Sequence, residues 1–176
     1  LPNLRRLVLR HTGAGSFGQL YDSIIPQLDH LTLFWLNETD VEHLLLLSTS
    51  LQTLRCRCDR PGEGFSKVID QISRIGVTEL QLHWRLEHEN SDNWEADCDS
   101  IEKFKGLVAG KDELERVELE FSVKYSQRRS LDRCDQALAR WKGIKDELKL
   151  ICVKKGIEVV ALTCRYVDGY TAIWED

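Results

Sequence analysis

The chain of 176 residues contains no methionine. It opens on Leu1-Pro-Asn-Leu4, already inside an apolar pattern with no polar unit ahead of it. End units of a stacked array ordinarily present a polar outer face, so the expectation is the C-terminal part of a longer chain. No stretch approaches the ~18 consecutive apolar residues of a membrane span, and the charged start and apolar centre of a secretion signal are missing. A nucleotide loop is missing as well: Thr12-Gly-Ala-Gly-Ser16 has no Gly-Lys-Ser/Thr ending and reads as a turn. No histidine stands in a Ser/Asp or Cys/Asn pattern that would build a nucleophile and its base, and the carboxylates have no apolar pocket to raise their pKa. With no site visible, the expectation is a protein that is not an enzyme and takes no cofactor.

The six cysteines lack the spacing of a zinc site, because Cys56-x-Cys58 has no second pair. Cys56, Cys58, Cys134, Cys152 and Cys164 occupy apolar positions and read as buried thiols, while Cys98 lies in a polar stretch. Reduced thiols imply a cytoplasmic or nuclear protein. The triplet Asn37-Glu38-Thr39 is a glycosylation signal that would suit an extracellular receptor instead. His83, His88 and Cys98 have no supporting pair spacing for a metal, and Asp92 to Asp99 lacks the glycine and terminal glutamate of a calcium loop. The net charge of −5 argues against nucleic acid as a partner.

What is present is a repeat. The spacing apolar-x-x-apolar-x-apolar occurs at Leu4/Leu7/Leu9, Leu28/Leu31/Leu33, Leu51/Leu54/Cys56, Val77/Leu80/Leu82, Leu114/Val117/Leu119 and Ile157/Val160/Leu162. The first copies follow one another at roughly 25 residues, the period of a leucine-rich repeat in which a strand and a helix form one unit. The predicted helices carry apolar stripes: Val41, Leu44 and Leu45; Phe65, Val68, Ile69, Ile72 and Ile75; Ile101, Phe104, Leu107 and Val108; and a long one from Leu131 to Cys152. Thr39-Asp-Val-Glu42 reads as a capping box. Gly76 and Gly156 read as helix stops, Gly76 in the left-handed conformation. Residues 86–100, with six acids and no Lys or Arg, read as an inserted solvated loop. Residues 165–176 carry Asp168-Gly169, the signal of a tight hairpin, and read as a C-terminal cap.

Leu31-x-Leu33-x-x-Leu36-x-x-Thr39-Asp40, continued to Leu45, resembles the repeat of intracellular leucine-rich proteins of the ribonuclease-inhibitor type, especially those found behind an F-box. Glu147 to Val160 is similar to the closing helix and strand of many fungal F-box proteins. The sequence departs from the pattern where a Cys or Asn ladder normally stands, at Thr12, Leu36, Asp59, Arg85 and Ser122. The resemblance implies one α/β leucine-rich-repeat solenoid over residues 1–176, a horseshoe segment with parallel strands on the concave side and helices on the convex side. It implies the substrate-recognition region of a ubiquitin ligase complex, touching the ligase adaptor only through an F-box upstream of Leu1. A structural or regulatory solenoid with no ubiquitin role is the alternative.

If the leucines face the core, the residues between them face the concave side. That rule selects Arg6, Val8 and Arg10; His30, Thr32 and Phe34; Thr53, Arg55 and Arg57; Glu79, Gln81 and His83; Arg116, Glu118 and Glu120; and Val159, Ala161 and Thr163. The first three strands display four arginines, one histidine and no acid, and the next two display three acids against one arginine and one histidine. The expected partner is a protein of opposite charge order, with Phe34 as an apolar anchor.

Overall fold

A computed structural model of the chain describes residues 3–10, 19–34, 38–58, 64–88, 94–125, 131–168 and 171–175. Among them, strands β1 (Arg6–Arg10), β2 (His30–Phe34), β3 (Thr53–Cys58), β4 (Glu79–His88), β5 (Arg116–Tyr125) and β6 (Glu158–Asp168) run parallel in sequential order. A further strand, β7 (Thr171–Glu175), turns back antiparallel on β6, as the Asp168-Gly169 signal predicts. The connections hold α1 (Gln19–Ile24), which passes into a single 3-10 turn at Pro26, then α2 (Glu38–Leu47), α3 (Gly64–Ile72), α4 (Trp94–Gly110) and α5 (Leu131–Lys155). The Gly-rich turn at 12–16 and the turn at 59–62 lie outside the described residues.

The sheet is covered on one face. Leu31, Leu33, Leu54, Cys56, Leu80, Leu82, Val117 and Leu119 are buried in one continuous core with Val41, Leu44 and Leu45 of α2, Val68, Ile69 and Ile72 of α3, Phe104 and Val108 of α4, and Trp141, Ile144 and Leu148 of α5. Parallel sheets are ordinarily covered on both faces. Here the intervening residues, Arg6, Val8, Arg10, Arg55 and Arg57 among them, stay exposed. The strand order never reverses either, so the crevice that a doubly wound sheet opens for cofactors at its switch point does not form.

One backbone arrangement recurs at the unit junctions. The carbonyl oxygen of Arg5 accepts from the N–H groups of Asp29 and His30 at 2.9 and 3.0 Å, that of Asp29 from Gln52 and Thr53, that of Gln52 from Thr78 and Glu79, and that of Thr78 from Glu115 and Arg116. Each carbonyl uses both lone pairs to hold the start of the following strand. The last junction retains one such bond, Glu158 N–H to Glu115 O at 2.7 Å.

Several details differ from the sequence reading. Val160 is exposed and Val159 packs against the core, because the pairing shifts at Val117/Glu118 and Ala161, rather than Val160, stands opposite Glu118. A bulge reverses which alternate residues face inward, and period-2 counting cannot register it. Gly76 is not left-handed; among the described glycines only Gly156 is, with φ 71°. α3 ends at Ile72, and turn hydrogen bonds from Ser73, Arg74 and Ile75 carry the chain past Gly76 without a left-handed residue. Gly156 closes α5 as a Schellman motif, with Ile157 N–H bonded to Cys152 O at 2.9 Å and Gly156 N–H to Val153 O at 3.3 Å. α2 begins at Glu38, which puts Thr39 inside the first turn instead of before it.

The acidic stretch is not a loop of its full length. β4 continues through His88, paired residue by residue with an equally long β5, and α4 starts at Trp94. The first turns of a helix therefore fall inside this stretch. Of the cysteines, Cys56 and Cys152 are described, both free and buried, and burial raises the Cys152 thiol pKa. No helix among the described residues is long and apolar enough to cross a membrane.

Candidate functional site: the open face of the sheet

Strand register sorts the open face into three rows that cross the sheet. The first runs Arg6, His30, Thr53, Glu79, Arg116, Glu158; the second Val8, Thr32, Arg55, Gln81, Glu118, Ala161; the third Arg10, Phe34, Arg57, His83, Glu120, Thr163. Every residue selected from the sequence for a binding role, from Arg6 to Glu120, falls in these rows. Thr53 is the departure in exposure: it is buried on this face between its row neighbours His30 and Glu79.

The rows divide at the boundary between β3 and β4. On β1 to β3 the charges are Arg6, Arg10, Arg55 and Arg57, and these strands contribute no carboxylate to the rows. The Arg10 guanidinium lies 5.3 Å from the centre of the Phe34 ring, a cation–π contact that holds the arginine over the half-buried aromatic.

On β4 and β5 the acids engage one another's neighbours. His83 places Nε2 3.1 Å from Glu118 Oε1 and Nδ1 3.0 Å from Glu120 Oε2, so the ring bridges two carboxylates on the adjacent strand. Both contacts are hydrogen bonds when both ring nitrogens carry protons. Gln81 Nε2 donates to the other oxygen of Glu118 at 2.7 Å. Arg116 Nε is buried without a hydrogen-bond partner, with the Glu158 carboxylate 3.8 Å away, at ion-pair distance only.

This His83 cluster was not visible in the sequence, since its partners lie 35 and 37 residues from the residues they hold. The signal that could have found it was the register itself: aligned strand motifs place Gln81 opposite Glu118 and His83 opposite Glu120. No group of three or more His, Cys, Asp or Glu able to hold a metal occurs among the described residues. His88 and Cys98 have side chains outside those described.

On the covered side, a hollow of about 270 Å³ lies between α3 and α4, lined by Asp70, Ser73, Lys103 and Lys111 with apolar neighbours. It lies below the ~300 Å³ at which ligand pockets begin. The Lys111 ammonium is already committed to the Ile75 carbonyl and to Glu113 Oε1 at 2.8 Å. No family model matches the chain, and neither a curated protein nor a solved structure does.

Proposed function

We propose that the chain is a leucine-rich-repeat horseshoe segment that binds a protein through its open sheet face, as the substrate-recognition region of an F-box protein. The observation that supports protein binding is a parallel sheet with one face left uncovered, carrying charges that change sign from β1–β3 to β4–β5 in register-aligned rows. A broad, polar surface that includes the half-buried aromatic Phe34 suits a protein surface better than a small molecule. The F-box reading rests on the resemblance of Leu31 to Leu45 and of Glu147 to Val160 to that family.

Two measurements on the full-length gene product test the two parts separately. Proteins captured from a lysate and photo-crosslinked should attach at rows of the open face, such as Thr32 and Gln81, and not at exposed α5 positions such as Lys149. Attachment at the helices alone overturns the docking face. Co-purification of the ligase adaptor supports the F-box assignment, and its failure to co-purify removes that assignment while leaving the binding face in place.

A further inference from the structure

The two halves of the open face differ in more than sign. Glu118 accepts from Gln81 and lies against His83, and Glu120 lies against the other nitrogen of the same ring. The acidic half thus holds its own counter-groups, at hydrogen-bond distance and fixed across β4 and β5. Arg6, Arg10 and Arg55 are exposed, and the other members of their rows on β1 to β3 include Val8, His30, Thr32, Thr53 and Phe34. Among the described residues, β1 to β3 therefore place no carboxylate in the rows beside these three arginines.

Resting on the protein-binding reading above, we infer that the face of β1 to β3 docks a short, extended, acidic peptide segment carrying an apolar side chain. Arg6 and Arg10 stand four residues apart on β1, about 13 Å, with Val8 between them, and Arg55 stands two strands, about 10 Å, across from Val8. An extended peptide repeats its same-side residues about every 6.7 Å, so an acid–apolar–acid run of same-side residues matches Arg6, Val8 and Arg10. Val8, 50% exposed, and Phe34 stand diagonal to each other inside the frame of arginines and supply the apolar contact.

The boundary with the acidic half limits the length of the guest. Glu79 is one strand from β3, and Glu118 and Glu120 are two strands, about 10 Å, beyond it. At physiological salt, charges are screened over about 8 Å, so an acidic segment confined to β1 to β3 is attracted by the arginines nearest it despite the net negative chain. A long polyanion would run onto Glu79, Glu118 and Glu120. A nucleobase seeking an aromatic platform would have to displace Arg10 from the Phe34 ring.

The test is fluorescence anisotropy on the full chain with three labelled probes: a twelve-residue Asp/Glu peptide with a central leucine, its Lys-for-acid counterpart, and a single-stranded DNA of equal charge. The acidic peptide should bind saturably, weaken at least tenfold in Arg55→Glu and in Arg10→Glu, and keep its affinity in Lys142→Glu, which makes the same charge change on an exposed position of α5. Circular dichroism checks that each variant is folded; if Arg10→Glu is not, Arg55→Glu carries the test. Four results overturn the inference: no saturable binding of the acidic peptide, equal weakening by Lys142→Glu, tighter binding of the lysine peptide, or DNA binding as tight as the acidic peptide. If crosslinked partners still map to the open face in any of those cases, the docking face stands and only the choice of guest falls.

Discussion

Lys155 places its ammonium nitrogen 2.7 Å from the carbonyl oxygen of Lys111. It also donates to Ala109 O at 3.0 Å and reaches Val108 O at 3.3 Å. The last carbonyls of a helix have no partner within it, and here the final residue of α5 supplies one for α4. Lys111 does the same one unit earlier, donating to the carbonyl of Ile75 just beyond α3. Lys155→Met keeps the stem and removes the donors, and is expected to cost about 1–2 kcal/mol. Equilibrium unfolding in urea measures it.

Glu113 responds to its neighbour in its acidity. The Lys111 ammonium, bonded to its carboxylate, is the main cause holding the Glu113 pKa below its ordinary 4.5. A depressed carboxyl pKa stabilises the fold above its unfolded value, and that contribution is lost as pH falls through the folded value. Lys111→Met should move the NMR-detected titration of Glu113 upward. It should also remove this residue's share of the stability change below about pH 4.5. The exposure of the Glu113 side chain keeps that share small.

Lys105 gives the opposite slope at the other end of the scale. Hydrogen bonds to Glu102 and then Glu147 raise its pKa above 10.5. The raised value means that its stabilisation is complete below 10.5 and is lost as pH rises through the folded value. In Glu147→Gln, NMR of the Lys105 side chain should titrate at lower pH than in the parent chain.

Two glycines separate the helix ends. Gly156, at φ 71°, sits where a side chain is strained, and Gly156→Ala is expected to destabilise by roughly 1 kcal/mol. An added Cβ at Gly76 meets nothing within 4 Å and its φ is not positive. Gly76→Ala should therefore be neutral or slightly stabilising. Thermal melts of the two variants side by side decide the matter.

Leu54 and Leu82 are fully buried, and replacing either by Ala should cost about 2–5 kcal/mol through the cavity left behind. Arg55→Glu with Arg57→Glu should leave circular dichroism unchanged, since both residues are exposed. Loss of structure in the double variant, or an unchanged melting temperature in the leucine variants, would contradict the assignment of faces.

The strands and their inward residues were legible because each unit repeats the same short apolar spacing, from Leu31/Leu33 to Val117/Leu119. The exception, Val160, fails where a bulge adds a residue to one strand and changes the counting. The start of α4 was hidden because carboxylates discourage a loop-or-helix decision by hydrophobicity, yet they suit a helix start. Rows of the open face could be listed from sequence, but not their contacts: the His83 bridge and the Arg10–Phe34 stack need strands to be laid side by side before the pairs exist. The lysines that close helix ends were illegible for the same reason, with Lys155 lying 44 residues from Lys111.

The junction carbonyls belong to Arg5, Asp29, Gln52, Thr78 and Glu115, residues with little chemistry in common. The bond at each of these junctions is made by main chain, so it does not depend on which side chain stands there. These five positions can vary in sequence while the stitching between neighbouring strands stays in place.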